Sequence, residues 1–247
     1  MSKPTVILVH GAWHSPAHYQ EFLDVLEEQG YPCVAPSLPS GDVVPPENPP
    51  EADASCIREI AQNLVDQGKE IIAFGHSYGG TVVTNAFTGL GIRTRAAEGK
   101  SGGVRWLVYC TAFILVQNES LDGAAPPEAT PWQRHEGTLK VFTEGHDIGA
   151  LLYSDLPRKE HQRWLKLLRP FPIASSQYPT QSPAYRDIET LYIYCENDAL
   201  LPSVVQRSLV TKVRERGFEV HEESLQAGHF PSLSMPKELA NIISNLT

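Results

Sequence analysis

One serine in this chain has the setting of a nucleophile. Ser77 stands in Gly75-His76-Ser77-Tyr78-Gly79-Gly80, after the apolar run Ile71-Ile72-Ala73-Phe74 and ahead of Thr81-Val82-Val83. The pattern predicts a sharp turn from a strand into a helix, where the backbone is strained and neighbouring Cβ atoms have no room, which accounts for Gly75 and Gly79. Such a turn lifts the hydroxyl above the sheet edge. The helix behind it directs unpaired N–H groups at negative charge growing on a bound carbonyl oxygen. The plainer alternative is a tight glycine turn with Ser77 as a helix cap. What separates the two is whether a base and an orienting acid follow downstream.

Of the nine histidines, His229 is placed to be the base. It lies in the loop between a strand at 219–223 and the last helix, and loops at the carboxyl ends of parallel strands are where open α/β sheets hold their chemistry. His135, His146 and His161 fall in or near a separate inserted region, His221 in a strand, and His18 in a surface helix. The acid is expected just after the strand at 191–195, where Glu196 and Asp198 are on offer. Asp198 is preferred because it enters the turn ahead of Ala199-Leu200-Leu201-Pro202, whereas Glu196 sits directly at the strand end. A carboxylate there accepts the Nδ1–H of His229, which sets the tautomer that turns Nε2 toward Ser77.

A second donor to an oxyanion is expected from His10-Gly11-Ala12-Trp13-His14. Gly11 lets the chain pass close to the serine, and the Ala12 backbone N–H is the natural companion of the Tyr78 N–H. In one reading His10 serves only to hydrogen-bond loops at the strand end, and in another His10 and His14 have the spacing of two helix-borne metal ligands. They straddle a strand end and a glycine turn with no Glu between them, so no metal is expected, and no glycine loop followed by lysine is present to hold a nucleotide cofactor. Candidate pocket walls are Trp13, His14, Phe113, Leu115, Leu200 and Phe230, with Trp132 and Tyr153 reaching over from the insertion. Such a lining favours a small to medium apolar or aromatic group.

The elements that must carry these residues follow from the hydrophobic pattern. Apolar runs at 5–10, 31–36, 71–74, 104–110, 191–195 and 219–223 read as strands, and they are largely continuous rather than alternating. Helical patterns at 16–29, around Ile57 to Val65, from 78 to about 87, and at 203–215 and 236–243 separate them. Parallel strands covered by helices on both faces have this signature, so an α/β fold with a mostly parallel sheet of about six strands is predicted. From 115 to 186 the pattern breaks: Pro126, Pro127 and Pro131 crowd one stretch, Trp132, Phe142, Tyr153 and Trp164 follow without strand periodicity, and 157–168 reads as a helix. This predicts a small, mainly helical cap at 115–186 inserted in a core of 1–114 and 187–247. Residues 89–103 read as a plain surface connection.

Composition narrows the function classes. A chain of 247 residues buries a sizeable core without staples, and 20 basic against 29 acidic residues gives a net charge of -9. That field repels nucleic acid and anionic membranes. No apolar run approaches the roughly 20 residues of a membrane span, and the first begins at Thr5, leaving no room for a signal peptide, so a cytoplasmic protein is expected. Cys33, Cys56, Cys110 and Cys195 lack metal spacing and read as reduced, mostly buried thiols.

Taken together, the chain resembles the α/β-hydrolases of the small-cap branch that contains plant methylesterases, hydroxynitrile lyases and many microbial carboxylesterases, over nearly its whole length. The resemblance rests on His10-Gly11-Ala12-Trp13-His14, Gly75-His76-Ser77-Tyr78-Gly79-Gly80, Tyr194-Cys195-Glu196-Asn197-Asp198 with Ala199-Leu200-Leu201-Pro202 behind it, and Gly228-His229. It implies a Ser77, Asp198, His229 triad with oxyanion donors at Ala12 and Tyr78. Hydroxynitrile lyases of the branch carry a lysine directly after the catalytic histidine and a threonine ahead of the oxyanion donor; Phe230 and Gly11 stand there here, which disfavours cyanohydrin cleavage. The expected function is serine hydrolysis of a small-molecule ester or lactone, without cofactor. A lyase or cyclase acting on a natural-product intermediate, and a ligand-binding protein that retains the triad, stay open as alternatives, as does a homodimer.

Overall fold

The structure is a computed structural model that describes residues 3–125 and 129–247. Pro126 and Pro127 of the proline-crowded stretch lie outside the described residues. The chain begins with β1 (Thr5–Val9), α1 (Gln20–Glu28), β2 (Cys33–Val34), α2 (Pro49–Asp66), β3 (Glu70–His76), α3 (Gly79–Ala86), α4 (Ile92–Ala97) and β4 (Gly103–Cys110). An insertion follows with α5 (Leu121–Ala124), β5 (Gln133–Glu136), β6 (Leu139–Phe142), α6 (Ile148–Leu152), α7 (Arg158–Leu165) and α8 (Ile173–Gln177). The chain then returns through β7 (Glu189–Cys195), α9 (Ser203–Glu215), β8 (His221–Leu225), α10 (Pro231–Ser234) and α11 (Pro236–Ser244).

Six strands form one parallel sheet in the order β2-β1-β3-β4-β7-β8. Along β1 and β3 the side chains alternate between two cores. Ile7, Val9, Ile71 and Ala73 face the side covered by α2, α3 and α9, while Val6, Leu8, Ile72 and Phe74 face the side covered by α1 and α11. Because both faces are buried, no polar residue interrupts the run, and each such side chain contributes roughly 1.5–3 kcal/mol of burial. The chain steps from β1 outward to β2, then crosses back to β3. At that reversal the loops after β1 and β3 diverge and leave a crevice at the carboxyl edge, the place where open α/β sheets bind ligands.

Three sequence expectations need correction. β2 pairs over only two residues, against six predicted, and β8 begins two residues later than predicted and is exposed at four of its five positions, as an edge strand can be. Residues 89–103 hold α4, folded back by buried Arg95, whose guanidinium donates to the Val65 and Ser101 carbonyls. The insertion is mainly helical, as expected, and also holds an antiparallel hairpin of β5 and β6. Its first strand is Gln-Arg-His-Glu, polar on both sides and largely solvent-facing, so it has no hydrophobic period to read; the turn is signalled only by Gly137 at a φ of 59°. Of the four thiols, Cys110 and Cys195 are buried and Cys33 and Cys56 half-buried. Among the described residues no helix is long and apolar enough to cross a membrane.

The insertion is fastened over the carboxyl edge of the sheet. Arg169 N–H donates to the Trp13 carbonyl at 2.7 Å, Trp13 Nε1 donates to the Lys140 carbonyl at 3.0 Å, and Gly228 N–H donates to Asp155 at 2.7 Å. Beneath it, α3 packs so tightly on β1 that a Cβ at Gly79 would overlap the Val9 carbonyl. Gly79→Ala should therefore cost about 3 kcal/mol in urea unfolding. Gly30→Ala, at a φ of 85° with nothing within 4 Å, should cost only about 1 kcal/mol of backbone strain. Equal losses in the two variants would contradict the close approach of α3 to β1.

Candidate active site

Ser77 joins β3 to α3 with a φ of 52°, a left-handed conformation that non-glycine residues rarely hold. Its carbonyl accepts from Gly80 N–H at 3.0 Å and from Phe113 N–H at 3.1 Å, so the turn is tied both to its own helix and to the chain leaving β4. A Cβ at Gly75 would meet the Gly79 carbonyl at 2.9 Å, and one at Gly11 would meet the Ser77 Cβ at 3.1 Å. The seryl Oγ has no hydrogen-bond partner among the described residues, and the same holds for the Ala12 and Tyr78 backbone N–H groups. Ala12, Ser77, Tyr78 and His229 line one cavity.

Behind His229 lies Asp198. The His229 Nδ1 is 2.7 Å from Asp198 Oδ2, and both side chains are buried. Asp198 Oδ1 accepts the backbone N–H groups of Leu200 and Leu201 at 2.8 Å, and Oδ2 also accepts the Thr111 hydroxyl. With its acceptors filled, this carboxylate is held in one orientation. Glu196, the other carboxylate offered by the loop, turns away to an ion pair with Arg207 on α9. Thr111 was not singled out by the sequence, although its position at the carboxyl end of β4, next to β7, was a usable signal.

A layer of buried histidines supports the loops. His76 Nε2 lies 2.7 Å from the His229 carbonyl, which can only accept, so Nε2 carries the proton and Nδ1 accepts from the Tyr19 hydroxyl at 2.7 Å. Tyr19 in turn accepts Gly11 N–H at 3.0 Å. This chain of bonds links the loop after β1 to the loop carrying His229. His14 works the same way: Nδ1–H donates to the Ala12 carbonyl at 2.6 Å, and Nε2 accepts from Tyr153 at 2.9 Å. Burial, reinforced by neighbouring histidines, holds His14 and His76 well below the ordinary imidazole range. His10, lowered to about 4 by burial, donates to the Gly11 carbonyl and accepts Leu38 N–H. These rings are neutral spacers, and neither His10 nor His14 has a nitrogen left for a metal. No group of three metal-ligating side chains occurs among the described residues.

Trp13, Phe113, Trp132 and Leu200 line the cavity, as do Phe171, Leu121, Thr130, Gln133 and Lys140. The other four expected wall residues are placed elsewhere. His14 and Tyr153 form the hydrogen-bonded layer beneath Ala12. Phe230 is wholly buried, with its ring 4.3 Å from His14 and 4.6 Å from His76, because the chain turns into α10 immediately after His229. Leu115 lies in the core, its carbonyl accepting the Tyr185 hydroxyl. His18, expected on a surface helix, is fully buried against Trp164. Lys140 escaped the sequence reading; the signal was a lone cation between Leu139 and Val141-Phe142.

Tyr78 is anchored from below. Its hydroxyl donates to Asp53 Oδ2 at 2.7 Å, and Asp53 Oδ1 accepts Ser40 N–H at 2.8 Å. Asp53 has no exposed surface, and burial raises its carboxyl to about 6 despite those bonds.

A sequence model of the alpha/beta hydrolase family matches residues 6–242. The alpha/beta hydrolase nvfD of Aspergillus novofumigatus is 31% identical, the match covering 99% of this chain and 97% of that protein. A pyrethroid hydrolase of Sphingobium wenxiniae is 27% identical over 99% of this chain and 88% of its own length. Among solved structures, a methylesterase from Arabidopsis shares the fold with a TM-score of 0.72 at 20% identity, covering 98% of each chain.

The anchor under Tyr78 has a pH signature. A carboxyl raised from 3.8 to about 6 on folding contributes its stability while protonated. That contribution is full below pH 3.8, falls as pH rises toward 6, and is absent above. Relative to Asp53→Asn, the wild type should lose on the order of 3 kcal/mol between about pH 4 and pH 6, with no further change above. Urea midpoints of both proteins across that range measure the difference; a flat difference would contradict the buried, raised carboxyl.

Proposed function

The chain belongs to the alpha/beta hydrolase family, and from that premise we propose that it is a serine hydrolase. Its substrates are carboxylic esters or lactones of small to medium, largely apolar or aromatic compounds, and it works through an acyl-enzyme on Ser77. The observation that carries this reading is the meeting in one cavity of a seryl hydroxyl and two backbone donors, all without a partner among the described residues, and an imidazole backed by a buried carboxylate.

In this mechanism Ser77 Oγ attacks the ester carbonyl while His229 Nε2 takes its proton. Asp198, bonded to Nδ1, stabilises the imidazolium that results. The negative charge on the carbonyl oxygen is received by the Ala12 and Tyr78 N–H groups, and loss of one such donor costs about 3 kcal/mol of transition-state stabilisation. His229 then protonates the departing alcohol, and water attacks the acyl-enzyme by the same route. The supporting network holds the two loops in register: Gly11 beside Ala12 and the His229 carbonyl are joined through Tyr19 and His76. Trp13 closes the apolar side of the cavity, with ring centroids 4.9 Å from Phe142, 5.0 Å from Phe171 and 5.9 Å from Trp132. The pyrethroid hydrolase among the relatives is consistent with an apolar ester as substrate.

Ser77→Ala should lower turnover of a chromogenic ester by about 10⁴-fold or more. A serine-directed phosphonate should add one adduct mass to the wild type, on the peptide containing Ser77, and none to the variant. Full activity in Ser77→Ala, or labelling at another residue, would remove the proposal. Substrate turnover without any acyl adduct under rapid quench would instead favour a non-hydrolytic use of the same pocket.

A further inference from the structure

The cavity has one wall that an apolar ester does not use. Lys140, on β6, lines it, yet its side chain is only 2% exposed. Its ammonium forms an ion pair with Asp122 of α5, and Asp122 is its only hydrogen-bond partner among the described residues. An ammonium carries three N–H donors, so among the described residues two remain unspent on a buried charge. Leaving such donors unmatched is costly in a water-poor site. Nor can the side chain swing out to solvent with its strand. Lys140 N–H donates to the Phe171 carbonyl at 2.9 Å, and its own carbonyl accepts Trp13 Nε1 at 3.0 Å, which pins β6 over the loop after β1. Two other polar residues line the same cavity, Thr130 and Gln133, and they bond each other at 2.8 Å.

We propose that Lys140 is a substrate-recognising residue whose unspent N–H donors bind a neutral acceptor oxygen, a ketone, lactone carbonyl or ether, set in the apolar skeleton away from the reacting carbonyl. The substrate class is thereby an oxygenated apolar ester rather than a plain hydrocarbon one. Charge decides between a neutral oxygen and a carboxylate. Asp122 already balances the ammonium, so a second carboxylate would be desolvated beside Asp122 without a cation of its own, whereas a neutral oxygen accepts an N–H and adds no charge. A site built to hydrogen-bond an oxygen rejects the analogue that lacks it, because its donors are left unmatched. The inference rests on the esterase reading only for which carbonyl reacts.

The test uses a series of chromogenic esters whose acyl chain carries a ketone at successive positions, the all-methylene parent, and matched compounds ending in a carboxylate. Turnover is measured on the wild type, and binding is measured on Ser77→Ala by quenching of tryptophan fluorescence. One ketone isomer should exceed the parent by about 10- to 100-fold, the range of a hydrogen bond to a charged group, and the carboxylate compounds should not. Lys140→Met alone strands Asp122, so the diagnostic variant is Lys140→Met with Asp122→Leu, in which the ketone preference should fall to within about twofold. If that variant does not fold, Asp122→Asn is the second arm: with the balancing charge gone, the carboxylate compound should gain about tenfold on the ketone. The proposal is overturned if no ketone isomer is preferred, if the preference survives removal of Lys140, if the carboxylate is favoured in the wild type, or if Asp122→Asn leaves that ratio unchanged. Selective ketone binding by Ser77→Ala with no ester turned over by the wild type would uphold Lys140 while removing the esterase reading.

Discussion

A serine with a left-handed backbone costs on the order of 1–2 kcal/mol, and it persists at Ser77 because the surrounding chain leaves no alternative. β3 enters the turn from the middle of the sheet, α3 leaves it packed against β1, and the Ser77 carbonyl is bonded on two sides. That close approach is what brings the loop after β1 alongside the serine, so that Ala12 and Tyr78 present free N–H groups to the same space. Glycine is required where backbones touch, at Gly75 and Gly79, because a methyl group would occupy a carbonyl. The remaining parts of the candidate site are arranged around this one constrained turn.

Polar groups below the cavity are held without charge. His10, His14 and His76 each bond a backbone carbonyl through one nitrogen and accept through the other, and burial keeps all three neutral. Their effect is geometric: they fix the peptides on either side of Ser77 in a region where water cannot do so. His229 differs from them in its partner. Its Nδ1 meets a carboxylate, the one environment among these rings suited to a transient positive charge.

The insertion supplies the contrast. It brings aromatic rings over the crevice, Trp132 and Phe171 with Trp13 between them, and among those rings it sets a buried ammonium balanced by a single acid. A largely apolar cavity with a fixed ammonium in its wall, besides the donors at the serine turn, separates ligands by where their oxygens lie, a finer criterion than size or hydrophobicity alone. Fastening of the hairpin at Lys140, whose carbonyl accepts the Trp13 indole N–H and whose N–H donates to the Phe171 carbonyl, keeps that donor in a set place relative to the serine turn.

Much of this was written in the sequence. Strands buried on both faces are mostly apolar, so the central runs of β1, β3, β4 and β7 stood out, and α9 was readable at both ends. The glycines around Ser77 were equally legible, since a steric need at a turn is met by local residue type. The bounds of edge strand β8, the β5–β6 hairpin and α4 were missed because solvent-facing elements need no hydrophobic period. Which rings face the cavity was decided only in three dimensions. Phe230 and Leu115 point into the core, while Phe171 and Lys140, remote from Ser77 in the chain, reach the cavity. Residue type and local spacing determine whether a side chain can be buried; the direction it takes from a loop depends on distant segments packing over it, and no local pattern encodes that.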